Sequence, residues 1–176
     1  AAFMLGNPNE ADWQKALVLD NILQKRTPST AKRQARLIRN RLELIDRQGL
    51  RLIAEREKEL VVQMLFYACL KHSQLLRDFM ADVLVLHIKR LEMNLTVRDW
   101  DAFLDECTHR DPGVGDWSDS TKEKLLQVIL RVLAETKYLD STRNLKIQRM
   151  RIHPEVKSYL SERGEMKIME LMELAS

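Results

Sequence analysis

The spacing of apolar residues along this chain predicts helices over most of its length. Apolar side chains recur every three to four positions, which is the period of an amphipathic α-helix. Residues that break helices are scarce, since the 176 residues include only five Gly and four Pro. We therefore predict an all-α protein with helices over residues 10–25, 30–45, 53–70, 75–93 and 121–136, and short helices at the C-terminal end.

The helix predicted over residues 30–45 has two different sides. At 100° per residue, one arc of about 80° holds only apolar side chains, namely Ala31, Ala35, Ile38, Leu42 and Ile45. A second arc of roughly 120° is occupied by five cations, namely Lys32, Arg33, Arg36, Arg39 and Arg47. Thr27 suits the cap of this helix and Pro28 its first position. Together with the helix over residues 10–25, it forms a pattern typical of a helix-turn-helix.

A second helical unit is predicted to begin at residue 94, which divides the chain into subdomains of residues 1–93 and 94–176. Thr96 followed by Asp99 is a capping pair that opens a helix carrying Trp100. The segment 117–120 then caps the helix over residues 121–136, so that the helix-turn-helix pattern is repeated. Apolar and polar residues alternate between residues 143 and 152, which is typical of a short β-hairpin but also of an irregular segment.

The charges of the chain are segregated. The formal net charge is only +3, yet residues 21–51 hold nine Lys or Arg against Glu43 and Asp46, a local balance of +7. An acidic block lies elsewhere, between residues 92 and 119. A positive field concentrated in one segment favours a defined docking surface for an anionic partner.

We expect a cytoplasmic monomer without a membrane segment. Cys69 and Cys107 have no spacing typical of a metal knuckle or a disulfide framework. The longest apolar run, residues 60–70, covers eleven positions, whereas a membrane-spanning helix needs about 18 or more. The chain starts at Ala1 with neither an initiator Met nor a secretion signal, so we expect a trimmed or incomplete terminus.

The basic helix is the feature that points to a function. In a helix-turn-helix, the second helix lies in the major groove of DNA with its early residues near the base edges. Placed in this way, Lys32, Arg33 and Arg36 approach bases or the nearest phosphates. The flanking backbone is then neutralised by a second set, Lys25, Arg26, Arg39 and Arg47. Lesser candidates follow in the second unit, namely Lys122, Lys124, Lys146, Arg149 and Arg151.

A solvated helix face is the plain alternative for this row of cations, since most charge runs are of that kind. An ordinary solvated helix mixes both signs, which support each other between positions i and i+4, whereas this face is short of acids. That shortage favours an anionic partner. In the second unit, Lys122 and Lys124 stand beside Asp119 and Glu123, and a packing helix with surplus surface cations remains an open alternative there.

The sequence shows no catalytic signature. It contains neither a phosphate-cradling Gly-rich loop nor an H-E-x-x-H zinc helix nor a C-x-x-C pair. His109-Arg110-Asp111 matches three letters of the protein-kinase catalytic loop, but the companion kinase motifs are missing. We interpret four acids of this region as solvated surface rather than as metal ligands, namely Asp99, Asp101, Asp105 and Glu106. We therefore predict a protein that is not an enzyme and uses no cofactor or metal.

Residues 21–45, with the sequence NILQKRTPSTAKRQARLIRNRLELI, resemble the BrxA family of bacteriophage exclusion (BREX) systems. Three further segments are similar to that family in order and spacing, namely residues 65–83, 96–104 and 117–133. The resemblance covers about residues 4–165 and contains no catalytic motif. It implies a small all-helical cytoplasmic protein that binds double-stranded DNA beside a DNA methyltransferase complex and other defence components. Carried onto this chain, it implies DNA contacts from the basic residues already named.

Two other functions remain open at this point. The chain could be an adaptor whose basic helix docks on an acidic surface of a larger defence subunit. It could also bind RNA, although the series of surface aromatics usual in single-strand platforms is missing. Both alternatives predict that duplex DNA is not the preferred partner.

Overall fold

The computed structural model describes residues 1–174 and is all-α, as predicted. The helices are α1 (Ala2–Leu5), α2 (Glu10–Gln14), α3 (Pro28–Leu42), α4 (Arg47–Glu55), α5 (Lys58–His72), α6 (Gln74–Phe79), α7 (Val85–Lys89), α8 (Val97–Arg110), α9 (Asp119–Glu135), α10 (Pro154–Glu162) and α11 (Met166–Glu173). Two compact units are formed, one by Ala1–His72 and one that begins at Ser73. The predicted boundary between residues 93 and 94 falls inside the second unit.

Helix α2 of the first unit is shorter than the helix predicted over residues 10–25. Asn9 caps α2 by accepting a hydrogen bond from the N–H of Asp12, and a π-helical turn, Lys15–Leu19, continues α2. The prediction of a helix to residue 25 was wrong, because Asn21 and Gln24 have left-handed backbone angles, with φ of 44° and 50°. The side chain of Asn21 also bonds to both backbone groups of Lys25. Residues 20–27 therefore form a longer connection than the tight turn expected.

The basic helix α3 is capped as predicted. The hydroxyl of Thr27 accepts a hydrogen bond from the N–H of Thr30, and Pro28 occupies the first turn. The helix ends at Leu42, earlier than predicted, and Asp46 caps α4 by accepting from the N–H of Gly49. Arg47 is therefore the first residue of α4, so its placement on the cationic arc of the preceding helix was wrong.

The buried side of α3 consists mainly of small residues. Ala31 and Ala35 are buried against the turn Lys15–Leu19 and α5, which both pack on α3. Leu42 is buried too, whereas Ile38, predicted to lie in the apolar seam, is 40% exposed. Small residues let helices approach closely, so this side fixes which face of α3 meets solvent.

The long helix predicted over residues 53–70 is two helices. Arg56 is extended, with φ −95° and ψ 171°, and ends α4 before α5 begins at Lys58. Helix α5 is apolar on nearly all sides and includes the fully buried side chains of Met64, Phe66 and Tyr67. It packs against α3 and α4 and forms the core of the first unit.

The second unit contains a continuous helical stretch and a clustered aromatic core. Helix α6, a π-helical turn Met80–Leu84 and α7 follow one another without a break, close to the helix predicted over residues 75–93. The rings of Phe79, Trp100 and Phe103 pack together with centroids 5.2 to 5.7 Å apart. Edge-to-face contacts of this kind add to the stability of a buried core.

Thr96 and Asp99 form the predicted capping pair of α8. The Asp99 carboxylate accepts hydrogen bonds from the N–H of Thr96 at 2.6 Å and from its hydroxyl at 2.9 Å. Ser118 caps α9 in the same region as predicted, by accepting from the N–H of Thr121. Both helix starts therefore follow from local sequence.

The alternating segment near residue 146 pairs with two neighbours instead of forming a hairpin of its own. Asn94 bridges to Lys146 and Leu139 bridges to Ile147, both antiparallel and both isolated. The buried hydroxyl of Tyr138 donates a hydrogen bond to the carbonyl of Met172 in α11. These contacts join the C-terminal helices to the rest of the second unit.

Candidate nucleic-acid interface

The exposed side of α3 carries three cations without a local counter-ion. Lys32, Arg33 and Arg36 are exposed, and within residues 1–174 none of them has an ion pair or a side-chain hydrogen bond. They lie one helical turn or less apart, because residues separated by three and four positions are neighbours on a helix surface. Like charges at that spacing repel each other. The prediction of a cation row without acid partners holds for these three side chains.

Arg39, the fourth member of the predicted row, is held inside the unit. Its Nε atom lies 2.8 Å from a carboxylate oxygen of Glu43, and its Nη1 atom lies 3.6 Å from a carboxylate oxygen of Glu10. The guanidinium also stands over the ring of Trp13, 5.5 Å from its centroid. The pKa of Arg39 is raised, and the hydrogen bond with Glu43 is the main cause. Arg39 is therefore already paired within the unit, and its predicted contact with DNA has to compete with these two acids.

A cavity of about 450 Å³ lies beside this row of cations, between α2 and α3. Its lining combines cations, acids, amides and one aromatic ring: Glu10, Trp13, Gln14, Leu17, Lys32, Ala35, Arg36, Arg39, Asn40 and Glu43. Lys32 and Arg36 are the two lining cations without an ion pair in the described part of the chain. Two cations without an ion pair thus border a cavity that also contains the carboxylates of Glu10 and Glu43.

Sequence reasoning missed the contribution of α2 to this site. Trp13 and Glu10 belong to the helix predicted over residues 10–25, and no role was predicted for either. In the structure both contact the guanidinium of Arg39 and position it. Two exposed amides that line the cavity, those of Gln14 and Asn40, were also passed over. Asn40 lies one turn after Arg36, which was a usable signal because it falls on the polar side of α3.

The other predicted cations of the first unit surround α3 but do not lie on it. Lys25 and Arg26 belong to the connection that precedes the Thr27 cap, and Lys25 is half-buried. Arg47 is exposed at the start of α4. These three residues come from segments on both sides of α3 in the sequence.

The predicted cations of the second unit lie on two elements. Lys122 and Lys124 are in the first half of α9, where Lys122 is half-buried and Lys124 is exposed. The others lie on the irregular segment before α10, namely Lys146, Arg149 and Arg151, all exposed. Arg151 already takes part in an interaction within the protein. This set forms no continuous row comparable with that of α3.

His87, Asp99 and Asp82 of the second unit take part in local ion pairs and hydrogen bonds. The Nε2 atom of buried His87 lies 3.2 Å from an oxygen of Asp99, the residue that caps α8. Partial burial acts to raise the pKa of Asp99, but the hydrogen bonds from Thr96 and His87 outweigh it and lower that pKa. In the His109-Arg110-Asp111 triplet, Arg110 pairs with Asp82 at 2.9 Å. Over residues 1–174 no group of three or more His, Cys, Asp or Glu has an arrangement suited to a metal ion.

No helix within the described residues is long and apolar enough to cross a membrane.

Comparison with known proteins identifies relatives over nearly the whole chain. The family model described as BrxA matches residues 1–164. The chain is 34% identical to "BREX protein BrxA" of Paramagnetospirillum magneticum, over 99% of this chain and 88% of that protein. It is 32% identical to the protein of the same name from Escherichia coli O9:H4, over 98% of this chain and 81% of that protein.

A solved structure has the same fold. A crystal structure of a protein from Magnetospirillum magneticum superposes with a TM-score of 0.88 at 31% sequence identity. The match covers 99% of this chain and 89% of that one. The arrangement of helices described above is therefore shared with an experimentally determined structure.

Proposed function

This chain belongs to the BrxA family of BREX phage-defence systems, and from that premise we propose that it is a non-enzymatic component that binds double-stranded DNA. The contacts are made mainly to phosphates, from the exposed side of α3. Other BREX components, including a DNA methyltransferase complex, are its partners in the cytoplasm. This part of the proposal rests on the family resemblance.

One observation carries the DNA-binding proposal: Lys32, Arg33 and Arg36 are exposed, adjacent and without ion pairs in the described chain. Three neighbouring like charges destabilise a helix by mutual repulsion, which a surface with no partner normally avoids by mixing signs. A polyanion relieves this repulsion and gains from the release of its condensed counterions. Phosphate contacts of this kind fix a protein on the duplex without reading its sequence.

The dimensions of α3 fit a duplex groove. Its fifteen residues extend over about 22 Å at 1.5 Å per residue, and the major groove is about 12 Å wide, enough to admit an α-helix. Helix α2 stands beside α3, and the cavity between them opens onto Lys32 and Arg36. A backbone phosphate bound there lies between two unpaired cations and the start of the recognition surface.

The test replaces the three unpaired cations together. The variant Lys32→Gln/Arg33→Gln/Arg36→Gln keeps polar side chains and high helix propensity but removes three charges. We expect weaker duplex binding and a salt slope, d log K/d log[salt], that is flatter by about 2.7, because each phosphate contact contributes about 0.9. Fluorescence anisotropy with a labelled duplex at several salt concentrations measures both quantities.

A matched control removes the same charge from the second unit. Lys89, Arg131 and Lys167 are exposed and have no ion pair in the described residues. Replacing these three by Gln gives the same net charge as the α3 variant, and we expect the slope to stay within about one contact of the unchanged protein. If both triple variants flatten the slope equally, binding follows net charge and α3 is not the interface.

Competition between duplex DNA, single-stranded DNA and RNA at one salt concentration tests the choice of partner. Duplex DNA is expected to displace the labelled duplex most effectively. RNA as the stronger competitor would favour the RNA-binding alternative, and no nucleic-acid binding at all would favour the adaptor. The lesser candidates of the second unit are tested in the same assay, as single changes to Gln of Lys122, Lys124, Lys146, Arg149 and Arg151.

A further inference from the structure

Asn40 is an uncharged polar side chain on α3 that lies beside the unpaired cations and lines the same cavity. It is exposed in the last turn, and its amide forms no hydrogen bond within residues 1–174. It has no capping task either, because backbone N–H groups of Glu43, Leu44 and Ile45 close the end of the helix. A neutral amide gains little from a phosphate compared with a cation. An amide at this position can instead pair with the donors and acceptors of a base edge.

The position of Asn40 continues the line of cations. At 100° per residue, Arg33, Arg36 and Asn40 fall within an arc of about 60°, and Arg33 and Asn40 are separated by about 10.5 Å along the helix axis. That rise corresponds to about three base pairs at 3.4 Å each. The three side chains therefore form one ridge on α3. Its two guanidinium groups lie earlier in the helix, and its uncharged amide lies in the last turn.

Arg39, the residue before Asn40, does not lie on this part of the ridge. The ion pairs with Glu43 and Glu10 hold the Arg39 guanidinium near α2 and the ring of Trp13. Asn40, the next residue, lies farther around the helix, on the side of Arg36 away from Arg39. The last turn of the ridge thus presents an amide to a bound duplex, while its cation remains engaged inside the unit.

The amide of Asn matches one base better than the others. In the major groove adenine presents the N7 acceptor and the N6 amino donor, to which an Asn side chain donates and accepts at once. Guanine presents two acceptors there, which suit Arg instead. We infer that Asn40 hydrogen-bonds adenine in the major groove and gives duplex binding a preference for an A·T pair at one position. This inference rests on the proposed function and adds sequence discrimination to it.

The test selects duplexes from a pool with a randomised central tract. The unchanged protein is expected to enrich adenine at one position, and Asn40→Ala is expected to lose that enrichment. In the best selected duplex, 7-deazaadenine at that position removes the N7 acceptor. We expect about tenfold weaker binding by the unchanged protein and no change for Asn40→Ala. The salt slope of Asn40→Ala should equal that of the unchanged protein, because no charge is removed.

The matched control is Asn94→Ala, an exposed Asn in the second unit that is also changed to Ala. It should keep the enrichment and the 7-deazaadenine effect. Circular dichroism confirms folding, and Ala is in any case a better helix former than Asn at position 40. Binding without adenine enrichment, or enrichment that survives in Asn40→Ala, would overturn the role of Asn40 while leaving duplex binding intact. Failure of the unchanged protein to bind any duplex would overturn the proposed function first and this inference with it.

Discussion

The proposed function has Glu43 compete with DNA for Arg39, so neutralising Glu43 is expected to strengthen duplex binding. The pair is close, at 2.8 Å, but the Arg39 side chain is 42% exposed and that of Glu43 is 50% exposed. Exposed pairs between positions i and i+4 contribute little to helix stability. Glu43→Gln should therefore leave the fold intact while freeing one guanidinium on the edge of the α3 surface.

The size of this effect follows from counting phosphate contacts. One additional contact makes the salt slope steeper by about 0.9, so affinity falls about 3.5-fold more between 50 and 200 mM salt than in the unchanged protein. Glu10 is the weaker partner, at 3.6 Å and with an 87% exposed side chain. Glu10→Gln alone should change the slope less, and Glu10→Gln/Glu43→Gln should reach the full effect because both counter-ions of Arg39 are then gone.

Anisotropy titrations of a labelled duplex at 50, 100 and about 200 mM salt give the slopes to be compared. Glu55→Gln is the matched control, because Glu55 is an exposed acid of the same unit with no ion pair in the described residues. Removing a distant negative charge raises affinity without adding a contact, so Glu55→Gln should not steepen the slope. An unchanged slope for Glu10→Gln/Glu43→Gln would refute the reasoning that Arg39 can reach a phosphate.

The remaining predictions concern the stability of the second unit. Asp99→Ala removes the carboxylate that accepts from Thr96 and contacts His87, and should cost about 1 kcal/mol of unfolding free energy at pH 7. The pKa of Asp99 is lowered in the folded state, so its contribution to stability is present above the unfolded pKa and lost as pH falls through the folded pKa. In urea unfolding, Asp99→Ala should therefore lose less free energy of unfolding at about pH 3 than at pH 7. An equal loss at both pH values would contradict this. Tyr138→Phe leaves the buried carbonyl of Met172 without its donor and should cost about 1 to 3 kcal/mol. Burial raises the pKa of Tyr138, so its phenol should ionise only on alkaline unfolding, as absorbance near the phenolate band can follow.

Helix starts could be predicted from sequence better than helix ends. The caps at Thr27 and Ser118 are local signals, in which one hydroxyl accepts from an N–H three residues later. The end of the helix predicted over residues 10–25 was misplaced because apolar residues keep the helical period while Asn21 and Gln24 adopt left-handed angles. The break at Arg56 has no Gly or Pro to mark it. Periodicity identifies an apolar face but does not show where the backbone leaves the helix.

The candidate site shows the same division between local and tertiary information. The sequence places Lys32, Arg33, Arg36 and Arg39 on one arc and treats them as equivalent, since each follows the same period. The fold separates Arg39 from the others because Glu10 and Trp13 arrive from α2, an element whose position depends on the packing of Ala31 and Ala35. Charge repulsion therefore persists among the three cations of the row that form no ion pair with α2. In the proposed complex, the anionic duplex stabilises these three unpaired cations beside the cavity. The paired Arg39 lies at the edge of this surface.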